Sequence, residues 1–177
     1  MASGYLVLPL TGAIVPDGSG SGNNPATPAI EVSGGGQTTN SPKRTRFCWD
    51  FTSAEQHIEW SDLALPSDYG SGGKLHLWWK MVTASSGNVN LKASDSVIVD
   101  ASTDDDAAVY ATVVTSGAVA VPGTQGQTKR TELTLTMTNA SPNRTFGVMV
   151  GSEGTSWTAT GSLRLLAVLF EYTKAAA

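Results

Sequence analysis

From about Thr45 onward, apolar side chains recur at every second position. In the segment KLHLWWKM, residues 74–81, Leu and Met occupy the odd positions with Trp79, while Lys and His occupy the even positions with Trp78. Successive side chains of a β-strand point to opposite faces, so this alternation predicts a strand with one buried face. No window sustains a helical stripe for three turns. The sequence therefore predicts an all-β protein.

Turn sequences rich in Gly, Pro, Ser and Asp separate the alternating segments. We predict about eight strands, at 45–51, 57–64, 73–81, 87–94, 108–115, 131–138, 145–151 and 162–172. Short strands at this spacing are typical of an antiparallel β-sandwich, and eight of them favour a jelly roll. A chain of 177 residues suits one such domain, predicted at 45–173, with a short C-terminal tail at 174–177.

The first 44 residues have a different character. They hold short apolar clusters among Gly and Pro, and residues 1–42 carry only two charged side chains, Asp17 and Glu31. A solvent-exposed disordered tail is usually poor in apolar residues and rich in charge. We therefore predict an extended arm at 1–44 that becomes ordered against a partner, with AIEV at 29–32 suited to adding a strand to a neighbour's sheet. The predicted contact residues are Leu6, Leu8, Leu10, Ile14, Val15, Ile30 and Val32.

The charge balance limits the classes of partner. A net charge of −4 and a pI near 5.0 argue against nucleic acid and anionic membranes, which attract an excess of Lys and Arg. Cys48 is the only cysteine, so the sequence excludes an internal disulfide and predicts a small buried side chain. We predict no cofactor.

Catalytic motifs are missing from the sequence. There is no HExxH, GxSxG, Walker or GxGxxG pattern, and two histidines, His57 and His76, do not suggest a triad or a zinc site. Glu59 and Asp62 are three residues apart, which in a regular strand places them on opposite faces rather than as a glycosidase pair. We predict that the protein is not an enzyme.

Several aromatic residues are candidates for surface contact. Trp78 shares its strand face with His76 and two lysines, while Trp60 and Trp157 fall at strand ends or in loops. An aromatic side chain among polar neighbours on an outward face suggests contact with a partner, and either a sugar or a protein would fit.

Two charged clusters are candidates for binding sites. Lys43 and Arg44, with Arg46, form the only basic cluster, which suits either an acidic partner or a solvated strand entrance. The acidic group DASTDDD does not match the calcium loop of an EF-hand, so a solvated loop is favoured and calcium remains an alternative. Its carboxylates are Asp100, Asp104, Asp105 and Asp106.

Three longer segments carry a family resemblance. They are PLTGAIVPDGSGSGNNPA at 9–26, LPSDYGSGGKLHLWWKMVTASSGNVNL at 65–91 and GSLRLLAVLFEYT at 161–173. Together they resemble tailed-bacteriophage virion proteins in which a jelly roll follows an extended N-terminal segment. The sequence departs from that family at VGSEGTSWTATGS, residues 150–162, where the relatives are rich in Arg and Asp.

The resemblance implies a capsid decoration, or cement, protein on the phage head. It implies a homotrimer that contacts the major capsid protein and copies of itself, and it implies no catalytic residues. The alternative hypothesis is a carbohydrate- or receptor-binding sandwich module of a phage tail or fibre, in which outward tryptophans would stack on sugar rings.

Overall fold

The computed structural model describes residues 1–18, 24–33, 43–103, 108–110 and 112–176. These residues form two antiparallel β-sheets packed face to face, a β-sandwich. Among them, no helix is long and apolar enough to cross a membrane.

The first sheet, sheet A, has six strands. They are β1 (Ser3–Leu8), β3 (Thr27–Ser33), β4 (Arg44–Phe51), β6 (Tyr69–Met81), β11 (Lys129–Thr134) and β13 (Leu163–Lys174). Their order is β11-β6-β13-β4-β3, and β1 also pairs with β13. The long strand β13 is therefore the centre of the sheet.

The second sheet, sheet B, has five strands. They are β2 (Asn24–Pro25), β5 (Gln56–Ala64), β8 (Leu91–Val97), β9 (Val114–Thr115) and β12 (Thr145–Ser152). Their order is β2-β5-β12-β8-β9, in which only the short β2–β5 pair is parallel. A separate ribbon joins β7 (Asn88–Val89) to β10 (Val119–Ala120).

The strand order confirms the predicted jelly roll. We number eight strands 1 to 8 along the chain: β4, β5, β6, β8, β9, β11, β12 and β13. Their order is then 1-8-3-6 in sheet A and 2-7-4-5 in sheet B. This arrangement of two four-stranded halves is that of a jelly roll. Two strands were predicted too long: of 108–115, only Val114–Thr115 pairs as a strand among the described residues, and the strand predicted at 131–138 ends at Thr134.

The core lies between the two sheets and follows the alternation in the sequence. On β6 the odd positions Leu75, Leu77, Trp79 and Met81 are at most 1% exposed. Sheet B contributes the facing apolar side chains, among them Phe146. Trp79 donates its indole N–H to Thr131 Oγ1 at 2.9 Å, so the polar atom of this buried ring is satisfied.

The prediction of a separate N-terminal arm is wrong, because the described residues of this segment belong to the sandwich. Strand β1 pairs antiparallel with β13, and β3 pairs antiparallel with β4. Between them, Leu10 begins a 3-10 turn, and Ile14 forms an isolated bridge with Glu59 on the edge of sheet B. We call residues 1–18 and 24–33 the N-terminal strap.

The strap is held by burial and by hydrogen bonds from the core. Leu8 is 1% exposed and Leu10 is 9% exposed. Two core tryptophans donate to strap carbonyls, Trp49 to Leu10 O at 2.9 Å and Trp60 to Pro9 O at 2.8 Å. Of the predicted contact residues, Leu8 and Leu10 are thus buried by the chain itself, and residue 44 does not divide an arm from a domain.

The predicted C-terminal tail also begins too early. Lys174 is the last residue of β13 and lies 2.8 Å from Asp68 as an ion pair. The backbone N–H of Ala175 then donates to Asp68 O at 2.9 Å. Pairing with the loop before β6 therefore continues the ordered structure one residue past the strand.

Candidate functional site

The structure separates the tryptophans into buried and exposed groups. Trp49, Trp60 and Trp79 are between 0% and 6% exposed. Trp60 was predicted to be a surface contact, and this is wrong: its side chain is on the inner face of β5, under the strap. Trp60 lies within β5, which spans Gln56–Ala64, and not at a strand end or in a loop.

Trp157 lies in the loop between β12 and β13 and is partly buried against the core. Its indole N–H donates to Ala159 O at 2.9 Å, which fixes the ring within its own loop. The ring therefore packs this loop, and its indole N–H is already engaged within the chain.

Trp78 is different in each of these respects. It lies on the outer face of sheet A, on the even side of β6 as predicted, and it is partly exposed. Its ring centroid is 6.1 Å from that of His76. Within the described part of the chain we find no hydrogen-bond partner for Trp78 Nε1, whereas each of the other tryptophans donates its indole N–H to a protein oxygen.

A cleft opens beside this indole, and we call it the Trp78 cleft. Its volume is about 440 Å³. It is lined by Arg44, Arg46, Trp78, Thr128, Leu166 and Ala167. Two residues that sequence reasoning proposed separately, Trp78 and Arg44, therefore line one site.

The cleft exists because β13 changes partner along its length. Strand β4 pairs with β13 only at residues 163–165, and β1 pairs with it at 168–173. Neither strand pairs with Leu166 or Ala167. The register between β13 and β6 also shifts between Leu165 and Ala167, a β-bulge that inserts Leu166 and bends the strand.

An ion network supports the wall of the cleft. Arg46 donates to Glu31 Oε2 through both Nε, at 3.1 Å, and Nη2, at 2.9 Å. Lys80 Nζ donates to the other oxygen of the same carboxylate. Burial alone raises the pKa of Glu31, but the hydrogen bonds from Lys80 and Arg46 outweigh it and hold the pKa below its usual value.

Arg164 extends this network to β13. Its Nε and Nη2 atoms each donate to one Asp50 carboxylate oxygen at 2.7 Å, a fork-to-fork pair. These hydrogen bonds raise the pKa of Arg164, so the guanidinium stays charged. Its Nη1 atom is also 3.9 Å from Glu31 Oε2, which joins the two carboxylates into one network across strands β3, β4, β6 and β13.

His76, predicted as a surface contact, is instead covered. It is 5% exposed, and its Nε2 is 2.6 Å from Glu171 Oε2. Its Nδ1 lies 3.3 Å from Glu132 Oε1 without hydrogen-bond geometry. Hydrogen bonds from His76 and from Ser3 hold the pKa of Glu171 below its usual range. His76 therefore orders the face beside Trp78 and does not itself line the cleft.

The remaining predicted contacts divide between core and surface. Leu6 packs partly against the core, and Leu8 and Leu10 are buried in it. Four of these predicted contacts stay exposed: Ile14 at 53%, Val15 at 39%, Ile30 at 73% and Val32 at 57%. Lys43 is exposed and does not line the cleft.

The described residues give no support to the calcium alternative. Asp100 is exposed in a turn, and Asp104, Asp105 and Asp106 lie outside the described residues. Among the residues that are described, no group of three or more His, Cys, Asp or Glu side chains could hold a metal ion.

A second pocket, which the sequence analysis missed, lies on the outer face of sheet B. A β-bulge places Asp62 at φ 56° and shifts the register with β12, so Glu59 and Asp62 line the same pocket instead of opposite faces. Burial raises the pKa of Tyr110, as does its hydrogen bond to Glu59. The volume of about 220 Å³ lies below the ~300 Å³ at which small-molecule sites usually begin.

Comparisons with known proteins identify no family. No family model matches the chain, and no curated protein matches it. Solved structures with a similar chain path include the K1 cleaved adhesin domain of Lys-gingipain from Porphyromonas gingivalis W83, at 15% identity and a TM-score of 0.45, covering 98% of this chain and 99% of that one. A family 35 carbohydrate-binding module from Clostridium thermocellum matches at 6% identity and a TM-score of 0.40, covering 94% and 97%.

A third structure holds the CBM22-1 and GH10 modules of a Clostridium thermocellum endo-1,4-β-D-xylanase complexed with xylohexaose. It matches at 10% identity and a TM-score of 0.43 over 85% of this chain, which spans 25% of that one. With TM-scores below 0.5, we draw no functional conclusion from these likenesses.

Proposed function

We propose that this protein is a non-enzymatic carbohydrate-binding β-sandwich module whose ligand binds in the Trp78 cleft. The observation that carries the proposal is the state of Trp78: a partly exposed indole, whose N–H has no hydrogen-bond partner among the described residues, beside a cleft of about 440 Å³. That volume falls within the range of ~300 to 1,000 Å³ typical of small-molecule sites.

The chemistry of the lining suits a sugar. The C–H face of a pyranose ring is apolar and flat, so it can cover an indole, while its hydroxyl groups need hydrogen-bond partners around the rim. Arg44, Arg46 and Thr128 supply such partners. Because Glu31 already fixes the Arg46 side chain, a ligand that binds this guanidinium costs little further side-chain conformational entropy.

The proposal is tested by affinity electrophoresis and a glycan array with the wild type and Trp78→Ala. A tryptophan at the centre of a binding site typically contributes about 2 kcal/mol or more, so we expect affinity to fall about thirtyfold. Trp78→Phe keeps part of the aromatic surface, so its affinity should lie between those of the wild type and Trp78→Ala. Tyr5→Ala, on the same face but outside the cleft, is the matched control and should bind like the wild type.

Circular dichroism and thermal unfolding establish that Trp78→Ala is folded. Equal glycan binding by wild type and Trp78→Ala would refute the site. A wild type that binds no glycan on the array would refute the function.

The capsid-decoration hypothesis stands as the second candidate, supported by one observation. Ile30 and Val32 expose their side chains on β3, which is the edge strand of sheet A among the described residues. Exposed apolar edge strands are sites of strand addition by a neighbouring chain. Light scattering of the wild type and of an Ile30→Ser, Val32→Ser double variant tests it: a trimer that becomes a monomer would favour it, and a monomeric wild type would count against the trimer.

A further inference from the structure

The Trp78 indole is open toward one neighbouring strand. On the outer face of sheet A its neighbours are His76 and Lys80 along β6, Arg130 on β11 and Ala167 on β13. His76, Lys80 and Arg130 are long polar side chains, and each pairs with a glutamate. Side chains directly opposite in an antiparallel ladder have Cβ atoms about 5 Å apart, and Ala167 ends at Cβ. Ala167 is therefore too short to cover the indole, and the ring is open toward β13.

The β-bulge in β13 gives this opening an aliphatic base. Leu165 and Val168 are both buried in the core, and three residues separate them, whereas a regular strand places residues three apart on opposite faces. The bulge resolves this by putting both intervening residues, Leu166 and Ala167, on the outer face, where they line the cleft. We call Leu166 and Ala167 the aliphatic floor. Side chains stand roughly perpendicular to a sheet, so Trp78 forms a wall beside this floor.

The aliphatic floor favours one kind of sugar substituent. A sugar ring that covers the indole wall presents its edge to the floor, and in an ordinary hexose that edge carries hydroxyl groups. The side chains of Leu166 and Ala167 have no hydrogen-bonding atoms to replace the water that such hydroxyl groups lose. A methyl group at the same place instead gains free energy by leaving water.

Resting on the proposed function, we infer that the sugar recognised in the Trp78 cleft carries a methyl group, which contacts Leu166 and Ala167. Two classes of sugar have such a methyl at the edge of the ring, the 6-deoxyhexoses and the N-acetylhexosamines. In both, the C–H face can cover the indole while the methyl group reaches the aliphatic floor. Ala167 is the specificity-determining residue, because a longer side chain there would cover the floor and the indole together.

Isothermal titration calorimetry tests the inference with pairs of sugars that differ only in this substituent. L-Fucose is compared with L-galactose, and L-rhamnose with L-mannose, for the 6-deoxy class. Chitotriose is compared with cellotriose for the N-acetyl class. In at least one class, the methyl-bearing sugar should bind about fivefold or more tightly than its hydroxylated counterpart, and that class identifies the source of the methyl group.

Substitutions at Ala167 test the assignment to the floor. Ala167 is exposed, so Ala167→Ser should keep the fold, and its hydroxyl should reduce the preference within a pair to about twofold or less. Ala167→Leu fills the opening and should weaken the binding of every sugar about as much as Trp78→Ala does. Ala64→Ser, the same change at an exposed strand residue of sheet B, is the matched control and should keep both affinity and preference. Thermal unfolding establishes that each variant is folded.

The outcomes separate this inference from the proposed function. Equal Trp78-dependent affinity for both members of every pair would overturn the methyl inference and leave the carbohydrate site standing. The same holds if none of these sugars binds while the glycan array gives Trp78-dependent binding of a glycan without methyl groups. A preference that Ala167→Ser leaves unchanged would overturn the assignment of the aliphatic floor. Sugar binding that survives Trp78→Ala would refute the site and this inference together.

Discussion

The most decisive stability prediction concerns Leu8, because the sequence suggested that it contacts a partner and the structure buries it in the chain's own core. Leu8 is 1% exposed and packs in the core cluster, so Leu8→Ala removes apolar contacts and leaves a cavity. Substitutions of this kind cost about 2 to 5 kcal/mol, and we expect about 3. For a domain of this size, such a loss lowers Tm by roughly 6 to 12 °C.

The neighbouring residue of the same strand gives a matched control. Val7 is 69% exposed, so Val7→Ala should change stability by less than about 0.5 kcal/mol. Urea unfolding followed by tryptophan fluorescence measures both variants, and the slope m should be unchanged if both remain two-state. If Leu8→Ala proves as mild as Val7→Ala, β1 does not pack on the sandwich in solution, and residues 1–8 form a free arm as the sequence suggested.

Two further predictions concern the strap and the ion network. A Cβ at Gly4 would overlap the Tyr172 ring, so Gly4→Ala should destabilise by about 1 to 3 kcal/mol in urea unfolding, whereas Gly123→Ala, with open space around it, should be close to neutral. Glu31→Gln should cost about 2 kcal/mol at pH 7, because it leaves Arg46 and Lys80 without their carboxylate. The folded-state pKa of Glu31 is lowered, so its contribution is fully present above the unfolded value near 4.5 and is lost as pH falls through the folded value. The difference between wild type and Glu31→Gln should therefore shrink below about pH 4.5, and a difference constant from pH 7 to pH 3 would show that the ion network is not its source.

The sandwich could be predicted from sequence because its signal is local. Alternation along β6 depends only on which face each side chain takes, and the core at Leu75, Leu77 and Trp79 followed directly. The same signal placed Trp78 on the outer face. The jelly roll was also favoured, because strand count and turn spacing restrict the topologies of two packed sheets, whereas the order of the strands was not predicted.

The strap could not be predicted in this way. Strand β1 is short, Pro9 follows it, and its pairing partner on β13 is about 160 residues further along the chain. Composition alone does not say whether an apolar cluster such as that around Leu8 is buried by its own chain or by another molecule. The β-bulges in β5 and β13 could not be predicted from the sequence either. An inserted residue reverses the alternation of side chains beyond it, which explains why Glu59 and Asp62 line the same pocket and why Leu166 lines the cleft.

The N-terminal strap nevertheless contributes to the proposed binding site, although not as the partner-binding arm that its composition suggested. Strand β4 leaves β13 after residue 165, and β1 takes over as its partner only from residue 168. The gap at Leu166 and Ala167 is the opening of the Trp78 cleft, and Glu31 on β3 orients Arg46 on its wall. Removing residues 1–44 would therefore delete two strands of sheet A, the cleft-lining Arg44 and the carboxylate of the ion network together. For this reason the point substitution at Trp78, and not a truncation, is the experiment that separates binding from folding in this protein.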